Sequence, residues 1–443
     1  MDSSNPSLKI KDILSVRSKL GRFICSLLYC ITYEFIFNHF TYATFKYMGV
    51  EHREFSIQLY LLYLFCSAFP FIFYKGLQSI ASGFSLMLYI LAYIPIMESI
   101  FSTEKMVYES RVIYCIVFFS LMCIFFISDS WKLGKRFFTH IKLYIPRQFL
   151  FNISIILLLL LLVLNFGQMR FVNIITQREL MYELREDLSE NMFPGSGYII
   201  FWLSNAFLPV LLIYALRVRN WKNYLLIIGG YTILFMVTMQ KSTFLMPFIL
   251  TFAYRFAVKY SDKITNYAHS FIFLMLILIS AILYLTQSYN IIIFGIAAVF
   301  FYRTMCVSGH LFSMYIHFFE HNPETYYSHI SIVNSIFHNY PYKDVLGRVV
   351  SDGAMNANAT FLITDGIAAM GVIGVIFIGI AFILLKSFLN SIELKYNKTV
   401  SLIAFLPGIL SFLNVSLFTS MITGGLLVLY FIFRNTKLPA LQN

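Results

Sequence analysis

Phe149-Leu-Phe-Asn-Ile-Ser-Ile-Ile-Leu-Leu-Leu-Leu-Leu-Leu-Val-Leu-Asn-Phe166 is eighteen residues long and carries no charge. In water such a run would have to be the centre of a large core. In lipid it needs only to be a helix, because backbone amides find no partner in hydrocarbon and must bond within their own segment. What lies on either side of it decides between these. On its N-terminal side, Lys132, Lys135, Arg136, Lys142 and Arg147 crowd into one short segment. On its C-terminal side the chain turns acidic, from Glu179 to Glu190. Basic residues gathered at one end of an apolar run are the usual signature of a cytoplasmic flank.

The same alternation repeats along the 443 residues, which are 59% hydrophobic and 12% charged with mean hydropathy +0.75. Further apolar runs fall at about 23–45, 56–74, 78–101, 112–128, 198–216, 223–239, 243–258, 265–285, 361–385, 400–414 and 416–433. This pattern predicts an all-α, polytopic membrane protein of about twelve spans, with 1–443 as a single integral membrane domain. The net charge of +12 is not the stripe that nucleic acid would need, since the cations sit in short groups between apolar runs. Five of the six cysteines lie inside apolar runs and Cys306 stands alone, so neither a disulfide framework nor a CxxC metal site is implied.

The N-terminus, with Lys9, Lys11, Arg17, Lys19 and Arg22, reads as cytoplasmic, and so does the C-terminus after Arg434 and Lys437. Counting spans inward from both ends agrees only if 286–360 makes no net crossing. The short apolar stretch Ile291–Tyr302 is then re-entrant or interfacial. About two thirds of the 33 Lys and Arg fall on the cytoplasmic side in this topology, including Lys386, Lys395 and Lys398 between the tenth and eleventh runs. Two large loops remain outside: loop A, 167–197, and loop B, 286–360.

In loop A, Leu180, Met181, Leu184 and Leu188 recur at helical spacing, which predicts an amphipathic helix lying at the membrane surface. Arg178 and Arg185 are seven residues apart, on one helix face and about 10 Å apart along its axis. Their planar, permanently charged forks suit a phosphate; the plainer alternative is pairing with Glu179, Glu183 and Glu186. Lys241 sits in a tight turn between two runs, and Arg303 and Arg348 flank the polar part of loop B, all open to the same two readings. Asp352, Asn356, Asn358 and Asp365 form a polar stretch entering the tenth run, where Asp365 is close enough to the interface for a helix-dipole role. Gly366, Gly371, Gly374 and Gly379 follow as a face for close helix packing.

Glu34 lies about 18 Å beyond Arg22 at helical rise, where an ionised carboxylate costs roughly 2.5–3.5 kcal/mol and needs a partner or a proton. The five histidines of loop B show no metal-ligand spacing, so no metal site is expected. His338 is open to a role as base or acceptor contact.

Two enlarged outside loops, arginines in the first, and the stretch Asn356-Ala-Asn-Ala-Thr-Phe-Leu-Ile-Thr-Asp-Gly-Ile-Ala-Ala-Met-Gly-Val-Ile-Gly374 resemble the O-antigen polymerases (Wzy) and related repeat-unit polymerases. Arg178 and Arg185 lack the Arg-x10-Gly pattern described in that family, so their carry-over rests on loop position and residue type. The resemblance implies a GT-C-like glycosyltransferase of the bacterial inner membrane, working on the periplasmic face without metal or other cofactor. Its partners would be undecaprenyl-pyrophosphate-linked oligosaccharides, membrane lipid, and the chain-length regulator and flippase of the same pathway, with no nucleic acid. Departing pyrophosphate would be met by Arg178, Arg185, Lys241, Arg303 and Arg348, and the glycan by Asn356 and Asn358. Asp352 is the first candidate base and His338 the second. An O-antigen ligase shares this architecture. A lipid-linked oligosaccharide flippase is the rival of another class; it predicts related halves and polar mid-plane helices, whereas this chain concentrates its polar residues in two unequal outside loops.

Overall fold

A computed structural model describes residues 15–46, 49–50, 52, 56–103, 106–133, 144–167, 169–172, 180–181, 183–185, 188, 192–193, 195–286, 302, 306–353, 355–391 and 398–435. Arg178, Arg303 and the segment 291–301 expected to be re-entrant lie outside them. Every regular element among the described residues is helical. Eight helices are long and apolar enough to cross a membrane: Lys19–Thr41, Ile80–Ser102, Tyr108–Ser128, Arg147–Asn165, Ser196–Arg217, Lys263–Ile282, Leu362–Leu389 and Leu417–Asn435. The other four expected places hold shorter or less apolar helices, Ile57–Phe73, Trp221–Thr238, Lys241–Lys259 and Lys398–Ser411.

The chain packs as two compact units. The first comprises Met1–Trp131, Asp262–Ser387 and Phe412–Leu417. Polar contacts tie its helices together at both ends. At one end the Val16 and Leu77 amides donate to Asn266 and Thr265, and the Arg22 guanidinium donates to the Tyr74 carbonyl. At the other, Gly309 lies directly against Pro95, and the Arg111 guanidinium holds the Phe101 and Thr103 carbonyls at 3.1 and 2.6 Å. The described part of loop B thus packs along the helix Ile94–Ser102, with Ser308 Oγ donating to the Leu91 carbonyl at 2.8 Å.

Polar groups in this unit find partners within the helices. Tyr89 and Tyr93 are fully buried and donate to the Ser67 and Cys66 carbonyls, both at 2.8 Å. Lys386, expected in a cytoplasmic loop, is instead completely buried. Its Nζ lies 2.9 Å from Asp129 Oδ1, 2.8 Å from Ser85 Oγ and 2.6 Å from the Phe125 carbonyl. The residue type argues for a loop, but a carboxylate, a hydroxyl and a carbonyl answer all three ammonium protons, which makes burial tolerable.

The expected tenth span is also not one straight helix. Met370 and Gly371 leave helical geometry, Gly371 at φ 55° and ψ −133°, a region reserved for glycine. The chain folds back on itself there. A Cβ on Gly374 would stand 2.2 Å from the Gly366 carbonyl, although eight residues of straight helix would separate the two by about 12 Å. Carbonyls freed by the break are taken up locally, since the Thr325 and Tyr326 amides donate to Ala368 and Ala369 at 2.8 and 3.0 Å. Of the expected small-residue packing face, Gly366 and Gly374 thus meet within this one segment, while Gly379 packs on Leu121 of the helix Tyr108–Ser128.

The second unit comprises Lys132–Ser261, Phe388–Ser411 and Phe418–Asn443. The described part of loop A is helical at 180–181, 183–185 and 188. Its apolar face does not end at lipid, because Met181 and Leu188 pack with Val172 on Phe235 and Met239, joined by Leu184 and Phe244. Met239 is the left-handed cap of Trp221–Thr238, two residues before Lys241, so loop A sits over the turn that carries that lysine. On the far side Asn205 Nδ2 and Trp202 Nε1 donate to the Gly424 and Ile422 carbonyls, both at 3.0 Å, where Gly425 breaks the last helix at φ 80°.

Candidate functional site

Gly347 is the point on which the polar residues of loop B converge. It lies in the short helix Leu346–Val350 and, with no Cβ, leaves room for the amide oxygens of Asn356 and Asn358; a methyl group there would meet them at 2.5 and 2.9 Å. Between the two asparagines Ala357 points inward and is fully buried. Its amide donates to the Gly347 carbonyl at 3.1 Å, and its carbonyl accepts from Tyr315 Oη at 3.0 Å. An extended backbone alternates its side chains, so Asn356 and Asn358 are exposed on one face while Ala357 anchors them from behind.

Ser351 closes the loop. Its buried hydroxyl reaches the Gly347 carbonyl at 3.0 Å and also meets the Met355 carbonyl. Asp352 and Gly353 then reverse the chain in left-handed geometry, at φ 50° and 78°. Their amides donate to the Val349 and Arg348 carbonyls at 3.2 and 2.9 Å. Asn356 and Asn358 thus meet at Gly347, and half-buried Arg348 and exposed Asp352 lie on the same turn of chain.

The remaining candidates fall elsewhere. His338 is exposed and ends the helix Ser331–Phe337 as its left-handed cap, donating its amide to Asn334 at 2.8 Å. That helix buries none of its residues and exposes Ile332, Ile336 and Phe337. It continues into Tyr340, whose hydroxyl donates to the Asp344 carbonyl at 3.0 Å; burial, with Tyr342 and Asp344 nearby, pushes this phenol up to about 12 and keeps it a donor. Arg185, exposed, and Lys241, half-buried at the start of Lys241–Lys259, belong to the second unit.

Asp365 is not the interfacial residue its position suggested. It is fully buried in the short arm before Gly371. His329 Nε2 stands 3.0 Å from its Oδ1, while the Ser416 hydroxyl and Leu417 amide donate to its Oδ2 at 3.0 and 2.7 Å. Thr325 Oγ1 donates to the Ala368 carbonyl at 2.9 Å and lies 2.8 Å from His329 Nδ1. The Thr325–His329–Asp365 chain therefore fastens loop B to the arm. Only the mismatch between an acidic residue and an apolar run marks Asp365 in the sequence, and nothing there points to His329, 36 positions away.

Glu34 does find company. Its Oε1 accepts from Asn38 Nδ2 at 3.0 Å, and its carboxylate faces the His52 imidazole and the Glu98 carboxylate, their ligand atoms all within 4.8 Å of one another. Histidine spacing alone could not reveal this set, because its members come from three separate segments.

No family model, curated protein or solved structure matches this chain.

Proposed function

We propose that this chain is a GT-C-like membrane glycosyltransferase of about twelve spans that polymerises undecaprenyl-pyrophosphate-linked oligosaccharide repeat units on the periplasmic face of the bacterial inner membrane. The observation that supports this reading is the turn at Gly347, where the Asn356 and Asn358 amides meet on the chain that also carries Arg348 and Asp352. An amphiphilic substrate needs both a polar cradle and an apolar apron. The same loop offers Ile332, Ile336 and Phe337 to the acyl side.

In the reaction, the acceptor hydroxyl forms a bond to the anomeric carbon while the bond from that carbon to the pyrophosphate oxygen breaks. The hydroxyl proton passes to Asp352, and the departing pyrophosphate takes the electron pair. Arg348 stabilises the developing negative charge electrostatically. Asn356 and Asn358 bind sugar hydroxyls, since an amide can both donate and accept.

The test is chain extension by the reconstituted protein, supplied with a lipid-linked repeat unit in proteoliposomes. Asp352→Asn should leave only unextended units. Arg348→Ala should lose charge-assisted bonds of about 1.5–3 kcal/mol, roughly a tenfold to hundredfold drop in rate, with Arg348→Lys recovering part of it. Near-normal ladders from Asp352→Asn would remove it as the base; transfer to lipid A core instead of chain growth would mark a ligase. Single cysteines at Ser189 and Asn339 should react with an impermeant thiol reagent from the periplasmic side, and one at Asn397 should not.

A further inference from the structure

We propose that Glu34, His52 and Glu98 form a binding site for one divalent transition-metal cation, best suited to Zn2+. Three observations meet there. The donor atoms are two carboxylate oxygens and one imidazole nitrogen, brought within 4.8 Å of one another by the helix Lys19–Ile36, the segment at His52 and the helix Ile94–Ser102. Glu34 and Glu98 are 3% and 2% exposed, yet Glu34 Oε2 and Glu98 Oε1 have no hydrogen-bond partner among the described residues. Beside Glu98 a small cavity opens, where Ser99, Thr103, Ser313, Cys306 and His310 line it together with Phe37 and Val50.

Two buried carboxylates facing one another repel unless positive charge lies between them, and one dication balances both. Tetrahedral Zn2+ with bonds of about 2.0–2.2 Å sets neighbouring ligand atoms about 3.3–3.6 Å apart. His52 Nδ1 and Glu98 Oε1 are 3.6 Å apart. The surroundings orient the ligands as metal sites do. Asn38 holds Glu34 Oε1, which leaves Oε2 for the ion, and the His52 ring lies against Phe37 and Tyr42, with centroids at 5.6 and 5.3 Å. Three protein ligands leave a fourth position for water on the cavity side. Mg2+ and Ca2+ fit less well, since neither favours imidazole and both call for more oxygen ligands. Such an ion would tie the segment at His52 to two spanning helices. This proposal does not depend on glycosyl transfer, as none of the three ligands belongs to the Gly347 turn.

The experiment uses the full chain purified in detergent, stripped with a chelator, desalted and titrated with Zn2+ against a chromophoric competitor. One equivalent should bind to the wild type, and the thermal transition should rise with Zn2+ and fall again with chelator. Glu34→Gln, Glu98→Gln and His52→Gln should each weaken binding at least about a hundredfold, while eluting as folded protein. If a variant fails to fold, the chelator-reversible rise in the wild type's transition carries the test alone. A wild type that binds no Zn2+, or that binds it no better than the Glu34→Gln/Glu98→Gln double variant, overturns the proposal and leaves the carboxylates holding protons.

Discussion

Asp365 and Glu34 are both carboxylates withdrawn from water into the same helical unit, and their surroundings are opposites. Around Asp365 an imidazole, a hydroxyl and a backbone amide occupy both oxygens. Around Glu34 one amide side chain serves one oxygen, and the other faces a second acid and an imidazole. Asp129 stands between the two, since Lys386 and Ser85 both reach its Oδ1 and a buried ammonium answers its charge. A buried charge that neighbouring groups fully answer is fixed in one geometry and acts as a fastening. One left partly unanswered is costly until something from outside completes it, and is therefore a site.

The contrast breaks most visibly at the ion pair. Lys386→Met leaves Asp129 as an uncompensated buried charge and should cost about 3–5 kcal/mol, read as a large fall in the thermal transition in detergent. Adding Asp129→Leu should restore most of it; a double variant no better than the single would show that Lys386 acts through something other than its pair. Next in size is Asp365→Asn, which keeps the shape but weakens the bonds to His329, Ser416 and Leu417, at about 1.5–3 kcal/mol for a charged acceptor. An unchanged transition would place Asp365 with Glu34 rather than opposite it.

Gly371→Ala should follow at about 1–3 kcal/mol, because alanine is strained at its backbone angles, and should loosen the Asp365 arm without touching its hydrogen bonds. Smallest of all, Glu34→Gln in chelator-treated protein should shift the transition by less than about 1 kcal/mol in either direction, since it removes repulsion as well as a charge. A loss as large as that of Asp365→Asn would mean that Glu34 is already fully satisfied.

Hydropathy is a property of neighbours in sequence, so most spanning helices were legible as uninterrupted apolar runs. Of the apolar stripe expected in loop A, Met181, Leu184 and Leu188 pack on Phe235 and Met239 while Leu180 stays exposed, and the surface they cover was not legible. Glu34 announced its need for a partner by sitting deep in a run. Its partners could not be named, because His52 and Glu98 look like ordinary end residues until three segments meet. The break at Met370–Gly371 left no trace, since Ala-Ala-Met-Gly-Val-Ile-Gly reads as any apolar helix; only the fold-back pressing Gly374 on Gly366 distinguishes it. Of the expected site, Arg348, Asp352, Asn356 and Asn358 are close in sequence and lie on one turn of chain, whereas Arg185 and Lys241 belong to the other unit.

The fold-back at Gly371 also sets an order of events as the protein is made. A straight helix from Leu362 to Leu389 would measure about 42 Å, well beyond the roughly 30 Å of hydrocarbon, whereas the part after the break, 372–389, measures about 27 Å. The ribosome delivers the arm long before its anchors, because Ser416 and Leu417 are synthesised some fifty residues after Asp365. Until they arrive the carboxylate has only the upstream His329 to hold it. The arm can therefore gain its two downstream anchors only once the chain has been made through Leu417, and a chain truncated before Ser416 would leave Asp365 Oδ2 without them.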